Sequence, residues 1–462
     1  MVASANPHSR SLHQYDARPI SDLNMAFELL LSALVTVLCL VLAWSARRSF
    51  VSVHLLPLGL LCTALPLVRI VFGGSPWRAS DETIAFAYGS IALYALCIWL
   101  GAKALRDKSL ARFAAWIASV DRNELPTAQA VWVISALWLT RLYQAAEYGV
   151  LVSGSATEEA IRSMPYWLTS FNSILVLVGM GSTVVLALAA SRGSTKLWIL
   201  VLLELTWTFV SEGRRQFLFL ALLLLWIARR AMALRARTLI IGAALSVVLL
   251  YVLTPVFLYG REYNQTLLAA GLSPVAAFLS AFSQSWNECG VTLACSDRAG
   301  VNVVERGNAM EFLKLIVGAE RQGSDYLLGL GFLYSLVWAI PGFLIRKPDL
   351  MTEQYLQVHF ALPLQDDAIS IPALAYADFG ILGCAFAGIT LSIYVYYVAA
   401  YARHRHQLLV FASIAMGVLT TLWNIEGDPI SYVIVIRDSF IVLAVATITA
   451  SLYRIVRRGR IQ

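Results

Sequence analysis

Apolar segments of about twenty residues follow one another along most of the chain, and this hydropathy pattern constrains the fold more than any other feature. A hydrocarbon core about 30 Å thick is crossed by about twenty helical residues, which satisfy their backbone hydrogen bonds within the segment. Hydrophobic residues make up 59% of the chain and charged residues only 14%, which excludes an ordinary soluble domain. The pattern predicts an all-α polytopic integral membrane protein.

Hydropathy windows predict about eleven transmembrane helices, interrupted by one large loop. The predicted spans are 25–44, 51–72, 82–103, 129–152, 167–190, 197–211, 217–228, 238–258, 372–402, 408–424 and 430–453. The resulting regions are a polar tail (1–24), a transmembrane bundle (25–258), a loop with interfacial or re-entrant helices (259–371), C-terminal transmembrane helices (372–453) and a basic tail (454–462). Internal repeats, which many carriers contain, are not visible in the sequence.

Basic residues gather in alternate loops between the predicted spans. The residues of this group include Arg47, Arg48, Lys103, Arg106, Lys108, Arg192, Lys196, Arg229, Arg230, Arg403 and Arg405. The positive-inside rule assigns these loops and the C-terminal tail to the cytoplasm, and therefore the large loop and the N-terminal tail to the outer side of the membrane. Membrane topology and contact with lipid head groups account for the net charge of +7 without nucleic acid as a partner.

Cys289 and Cys295 lie close together in the large loop. On an oxidising face of the membrane, two thiols that close a short loop are expected to form a disulfide; the alternative is two free, small hydrophobic residues. No histidine lies near them in the sequence, which disfavours a metal site.

Two adjacent arginines, Arg214 and Arg215, separate the predicted spans 197–211 and 217–228. Both spans are too short to cross the hydrocarbon at 1.5 Å per residue, so their hairpin is expected to turn below the outer surface. Arginines at that depth are functional candidates, and guanidinium groups bind diphosphate oxygens bidentately. The alternative is an interfacial pair that extends to water.

Three more charged residues are expected in the outer half of the membrane. Arg141 and Glu147 lie within a turn or two of each other in one predicted span, where they form either a self-neutralising structural pair or part of a cavity wall. Arg261 follows the span 238–258 and is expected at the outer interface. Glu204 lies inside a span, and the sequence indicates no partner for it.

Carboxylates near the end of the large loop are candidates for a general base. Asp366 and Asp367 precede a predicted span, Asp378 lies near its start, and His359 lies a few residues upstream. Such groups can accept a proton from a sugar hydroxyl. Asp366 and Asp367 are equally explained as turn or helix-cap residues.

These features together resemble the bacterial Wzy-type oligosaccharide repeat-unit polymerases, which are related to the O-antigen ligases. The resemblance rests on the motif S-x-G-R-R at 211–215, the large outer loop, I-P-x-x-x-x-R-K-P at 340–348 and Y-A-D-F-G-I-L-G at 376–383, and it covers roughly residues 130–430. The family often has Pro-Arg where this chain has Pro341-Gly342, with the basic pair displaced to Arg346 and Lys347.

The resemblance implies a metal-independent glycosyltransferase without cofactors, which transfers a growing glycan from undecaprenyl diphosphate onto a lipid-linked repeat unit at the periplasmic face of the inner membrane. Implied partners are undecaprenyl-diphosphate-linked oligosaccharides, membrane lipids, a chain-length regulator and a flippase. The residues carried over are Arg214, Arg215 and Arg261 for the diphosphate, Asp366, Asp367, Asp378 or His359 for the base, and Arg141 and Glu147 for the cavity wall. The alternatives are a ligase-type transferase and a polysaccharide or lipid transporter, the latter disfavoured by the single long outer loop.

Overall fold

Every regular element in the described part of the chain is a helix. The computed structural model describes residues 22–60, 79–148, 164–212, 214–232, 236–290, 309–341, 344–345, 348, 350–362, 369–403, 408–425 and 429–459. The α-helices are α1 (Asp22–Ser45), α2 (Val51–Pro57), α3 (Asp81–Ala104), α4 (Ser109–Ser119), α5 (Thr127–Tyr148), α6 (Tyr166–Ser191), α7 (Trp198–Trp207), α8 (Arg214–Met232), α9 (Ala236–Ala269), α10 (Pro274–Ser285), α11 (Ala309–Arg321), α12 (Leu330–Ala339), α13 (Thr352–His359), α14 (Ile371–Arg403), α15 (Leu408–Trp423) and α16 (Ile430–Gly459). Five-residue π-helices follow α7 (Thr208–Glu212) and α10 (Trp286–Gly290).

Five helices in the described ranges are long and apolar enough to cross a membrane. They are Ala26–Ser45, Asp81–Ala104, Tyr166–Ser191, Ile371–Val398 and Ile430–Thr449, and Val51–Leu60, Leu330–Ala339 and Leu408–Trp423 are shorter apolar helices. Each predicted span overlaps a described helix. The all-α class is therefore confirmed, and the architecture is consistent with a helical membrane protein.

Small residues let the long helices approach one another closely. Helix α3 packs against α14, and α6 packs against α5 and α15. A Cβ atom at Gly388 would lie 2.7 Å from the Tyr94 carbonyl oxygen, and one at Gly181 would collide with the backbone of Ser413. Lipid gives little hydrophobic drive for helix association, so such van der Waals contact is what holds these pairs together.

The loops predicted to be cytoplasmic meet at one end of the bundle. The backbone N–H of Ala111 at the start of α4 donates to the carbonyl oxygen of Arg48 after α1 at 3.0 Å. The guanidinium of Arg192, which follows α6, donates to the carbonyl oxygen of Ile117 in α4 at 2.9 Å. These three loops, which the positive-inside rule assigns to the cytoplasm, are therefore neighbours in space.

Helix α11 of the large loop contacts the opposite ends of α1 and α3. Arg321 pairs with Glu82 in the first turn of α3 at 3.0 Å. The buried ammonium of Lys314 contacts Glu28 of α1 at 2.7 Å and Glu311 at 2.9 Å. Burial alone would lower the pKa of Lys314, but the Glu311 and Glu28 carboxylates outweigh it and raise this pKa. The ammonium therefore stays charged and joins α11 to α1.

The predicted boundary between the span 238–258 and the large loop falls inside one continuous helix. Helix α9 does not end near residue 258 but continues to Ala269, and α10 folds back against it. Arg261 is therefore a half-buried residue within a helix, and its expected place at the outer interface stays a prediction. Further along, the large loop, expected to contain interfacial or re-entrant helices, contains the short apolar helix α12.

Candidate functional site

A buried ion pair joins helices α5 and α7. One terminal nitrogen of Arg141, Nη1, lies 2.8 and 2.9 Å from the two carboxylate oxygens of Glu204. Arg141 is 4% exposed and Glu204 is 5% exposed. A single charge buried at this depth would be very costly, so each group makes the other tolerable. Glu204, whose partner the sequence did not indicate, is paired with Arg141.

Two tryptophan rings fix the position of the Arg141 guanidinium. Its central carbon lies 5.0 Å from the ring centroid of Trp207 and 5.8 Å from that of Trp138. The two rings meet edge to face with centroids 5.3 Å apart. Cation–π attraction and this packing orient the guanidinium toward α7.

The ion pair lines a small cavity of about 20 Å³, which has room for about one water molecule and whose wall is mostly apolar. Helices α5, α6, α7, α8 and α15 and the π-helix 208–212 form its wall, which consists of Arg141, Val176, Met180, Thr183, Glu204, Thr208, Gln216, Phe219, Leu220, Met416 and Thr420. Arg141 lies roughly 10 Å along the axis from the C-terminal end of α5, the end predicted to be outer. The cavity therefore belongs to the half of the bundle nearer that end.

An unsatisfied acceptor faces this region. The side-chain oxygen Oε1 of Gln216 is buried and has no hydrogen-bond partner among the described residues. The hydroxyl groups of Thr208 and Thr183 donate to backbone carbonyl oxygens of Glu204 and Gly179, each at 2.9 Å. A buried amide oxygen without a donor is costly, so a donor on a ligand or water would be favourable here.

Arg214 and Arg215 begin helix α8, immediately before the cavity residue Gln216. The π-helix 208–212 ends two residues before Arg214, residue 213 lies outside the described residues, and the structure does not describe the two arginine side chains. Of the predicted turn 211–216, residues 211–212 belong to the π-helix and 214–216 to α8. Helix α8 has 19 residues, which is longer than the predicted span 217–228, but it is not among the described helices that are long and apolar enough to cross a membrane, so the expected turn below the outer surface stays a prediction.

Asp378 has a structural environment that corrects its expected role as a base. Its two carboxylate oxygens accept hydrogen bonds from the backbone N–H groups of Gly331 and Phe332, each at 2.9 Å, and the side chain is 0% exposed. These N–H groups are in the first turn of α12, where they have no partner within the helix. Asp378 reaches them because α14 is interrupted after it, with Gly380 at φ +62°. It is a helix cap.

Replacing Asp378 by asparagine is expected to destabilise the protein. An amide has one acceptor oxygen, so its NH₂ group would face a backbone N–H and leave that buried donor unpaired. We expect a loss of about 1–3 kcal/mol, seen as a lower unfolding temperature of the purified protein in detergent. Asp325→Asn, at an exposed position, is the matched control and should leave the temperature unchanged. Equal temperatures for the two variants would contradict the assignment.

The other predicted site residues lie apart from the cavity wall. Glu147 is exposed near the end of α5, so Glu204 replaces it as the carboxylate that neutralises Arg141. His359 is exposed, and its Nε2 lies 3.2 Å from the carbonyl oxygen of Asp325. Arg261 is half-buried in α9 and does not line the cavity.

Several expectations fall on residues outside the described ranges. Asp366 and Asp367 are two of them. Cys289 is disulfide-bonded, whereas Cys295, its expected partner, is not described. The specific pairing stays a prediction. Within the described ranges, no group of three His, Cys, Asp or Glu side chains is arranged to hold a metal ion.

Sequence reasoning missed two contributors to this region. Gln216 gave no signal because a single glutamine beside a predicted turn is common. Arg437 in α16 did give a sequence signal, because it is a charged residue inside an apolar helix long enough to span a membrane. Its guanidinium contacts α6 and α12, as described below.

The cavity combines a guanidinium, a carboxylate and an amide in a low-dielectric setting. Such a set can bind a polar or anionic group and can orient it through charge-assisted hydrogen bonds. No protein-family model, curated protein or solved structure matches this chain.

Proposed function

We propose that this protein is a glycosyltransferase of the Wzy-polymerase type, which lengthens a lipid-linked polysaccharide at the periplasmic face of the bacterial inner membrane. The glycan belongs to an O-antigen, a capsule or an exopolysaccharide. The observation that carries the proposal is the buried Arg141–Glu204 cavity, whose wall includes Gln216 next to the arginine pair Arg214–Arg215. A purely structural bundle has little reason to collect these groups at one buried point.

In the proposed reaction, a hydroxyl oxygen of the acceptor sugar bonds to the anomeric carbon of the donor glycan. The bond between that carbon and the diphosphate oxygen breaks, and undecaprenyl diphosphate leaves with the electron pair. Arg214 and Arg215 stabilise the charge that develops on the leaving diphosphate, with Arg261 as a further ligand. The hydroxyl proton passes to a carboxylate, for which Asp366 and Asp367 are the candidates after Asp378 is assigned as a cap. His359 remains the alternative base.

The buried pair has a distinct part in this proposal. Glu204 neutralises Arg141 when no substrate is bound, so the guanidinium is held in place without an unpaired charge. The apolar polyprenyl chain stays in lipid while its diphosphate meets polar groups in the outer half of the bundle. Because the cavity that Arg141 lines has room for about one water molecule, the proposal requires it to widen when the polar end of the donor binds.

The chain-length pattern of lipid-linked glycans tests this function directly. A strain that lacks the gene should accumulate carriers with a single repeat unit and lose the ladder of longer chains. If long chains persist on undecaprenyl diphosphate but are not attached to their final acceptor, the protein is instead a ligase-type transferase. If single repeat units accumulate only on the cytoplasmic side, it is a transporter.

The proposal requires the large loop to face the periplasm. Gln322 follows α11 and Lys108 lies at the opposite end of the bundle, and both are exposed. In cells with a permeabilised outer membrane, Gln322→Cys should react with a membrane-impermeant maleimide, whereas Lys108→Cys should react only after lysis. Among the residues that the structure describes, the free cysteines Cys39, Cys97 and Cys384 are buried and should give little background. The reverse labelling pattern would refute the orientation.

Catalysis is expected to need no divalent metal, because guanidinium groups supply the positive charge for the diphosphate. Purified protein in vesicles with undecaprenyl-diphosphate-linked repeat units should therefore extend chains in EDTA at an unchanged rate. Elongation that stops in EDTA and returns with Mg²⁺ or Mn²⁺ would contradict this mechanism. Asp366 and Asp367 would then become candidate metal ligands.

A further inference from the structure

Arg437 links three helices inside the apolar bundle. Its Nε atom contacts Oδ1 of Asp438 at 2.8 Å, both on α16. One terminal nitrogen, Nη1, donates to the carbonyl oxygen of Ala339 in α12 at 2.7 Å, and the other, Nη2, donates to the hydroxyl oxygen of Ser173 in α6 at 3.0 Å. The guanidinium is thus fixed by groups from α16, α12 and α6.

Helix α12 has opposite charges at its two ends. The Asp378 carboxylate binds the N–H groups of its first turn, and Arg437 binds the carbonyl oxygen of its last residue, Ala339. Both charges have the sign that the helix dipole favours at that end. Arg437 is therefore held against a short helix whose other end is independently tied to α14.

The guanidinium keeps hydrogen-bonding capacity beyond these contacts. Arginine has five N–H donors, and each of the three nitrogens of Arg437 makes one contact with the described residues. Its side chain is 21% exposed, whereas that of Asp438 is 2% exposed. Two N–H groups on a partly exposed, charge-balanced arginine are therefore available to an incoming acceptor.

Arg437 lies next to the Arg141 cavity along helix α6. Its partner Ser173 lies three residues before Val176, and Val176, Met180 and Thr183 line the cavity from the same helix face. Ser173 and Val176 are separated by roughly 4.5 Å along the helix axis. On this face of α6, the residue that contacts Arg437 is therefore about one helical turn from the first residue that lines the cavity.

We infer that Arg437 is a second anion-binding residue, which takes a phosphate group of the polyprenyl diphosphate next to the Arg141 cavity. The identity of the anion rests on the proposed function, whereas the position of the guanidinium and its spare donors do not. A fork of N–H donors suits two oxygens of one phosphate better than the point charge of a lysine. Ala339, Ser173 and Asp438 preset its orientation.

Binding of undecaprenyl diphosphate to the purified full-length protein tests this inference. The protein is placed in phosphatidylcholine nanodiscs, and its tryptophan fluorescence is followed during titration. Arg437→Gln and Arg437→Lys should each weaken binding, the glutamine variant by at least about tenfold, because charge-assisted hydrogen bonds are lost. Unchanged affinity in both variants, with normal binding by the parent protein, would overturn the inference and leave the proposed function standing.

Asp378→Asn separates binding from a merely structural effect. It loosens α12 from the other end and should lower the unfolding temperature while affinity stays within about threefold, in contrast to the loss of at least about tenfold expected for Arg437→Gln. If it weakens binding as much as Arg437→Gln does, Arg437 acts only by holding α12, and the inference fails. Arg437→Lys keeps the positive charge beside Asp438, which gives a second variant whose folding is less affected.

A last comparison identifies the source of the phosphate. Adding phosphatidylglycerol to the nanodiscs should not reproduce the fluorescence change or displace undecaprenyl diphosphate. An Arg437-dependent response to phosphatidylglycerol would make this a lipid head-group site and overturn the diphosphate assignment. If the parent protein binds no undecaprenyl diphosphate and extends no chains, the proposed function fails, and this inference fails with it.

Discussion

Replacing Arg214 and Arg215 by alanine is expected to lower the rate of glycan polymerisation by about 100- to 1,000-fold for each variant, with normal insertion and abundance. Each change removes a charge-assisted contact that stabilises the leaving diphosphate in the transition state, at a cost of about 2.7–4 kcal/mol. Arg→Lys at either position should also be poor, because a lysine cannot form the bidentate contact. The measurement is chain elongation by purified protein on undecaprenyl-diphosphate-linked repeat units.

The other end of the same helix provides a matched control. Arg229 and Arg230 are an adjacent, exposed arginine pair in the last turn of α8. Arg229→Ala and Arg230→Ala change the charge of the helix by the same amount at the end predicted to be cytoplasmic. Their elongation rates should stay close to that of the parent protein. If the Arg214 and Arg215 variants produce the same ladder of glycan chain lengths as the parent protein, these arginines do not take part in the mechanism.

Hydropathy was sufficient to predict where the long apolar helices occur, because crossing lipid requires apolar residues and internally satisfied backbone hydrogen bonds. It was less reliable for helix ends. The predicted span 217–228 is the apolar part of α8, which extends from Arg214 to Met232. Charged residues at both ends are counted as loop by a transfer scale, although they continue the helix. The same reason explains why α9 extends beyond 258 to Ala269.

The contacts within the candidate site were beyond the reach of sequence spacing. The predicted partners Arg141 and Glu147 share one helix, whereas the observed partner Glu204 is 63 residues away in the sequence. Spacing along a helix identifies neighbours on its own surface, but the choice of a partner on another helix depends on packing. A lone charge in a span did indicate that some partner exists.

The role of Asp378 was misjudged for a related reason. An aspartate at the start of an apolar helix is equally compatible with a base and with a cap. What decides between them is the free first turn of α12, which lies 47 residues away in the sequence. Helix α14 is interrupted after Asp378, and this interruption directs the carboxylate to that turn. In the sequence, only Gly380 indicates the interruption.

The Arg141–Glu204 pair should show the strongest coupling between two side chains in the bundle. Arg141→Met or Glu204→Leu alone leaves an uncompensated buried charge and should cost about 3–5 kcal/mol of stability. The double variant removes both charges and should recover most of that loss, because a buried pair and apolar residues of similar size are often equally stable. Thermal unfolding of the four proteins in detergent gives this coupling directly. Glu147→Gln, at an exposed site, should change stability by no more than about 0.5 kcal/mol.

Elongation by the same four proteins then separates structure from function. If the pair serves only to hold α5 against α7, the double variant regains activity together with stability. If Arg141 binds the polar end of the donor, as proposed, the double variant is stable but remains slow, because no apolar side chain can replace a guanidinium beside a diphosphate. We expect the second result. A stable and fully active double variant would remove Arg141 from the substrate site, and the cavity would then be only a structural feature of the bundle.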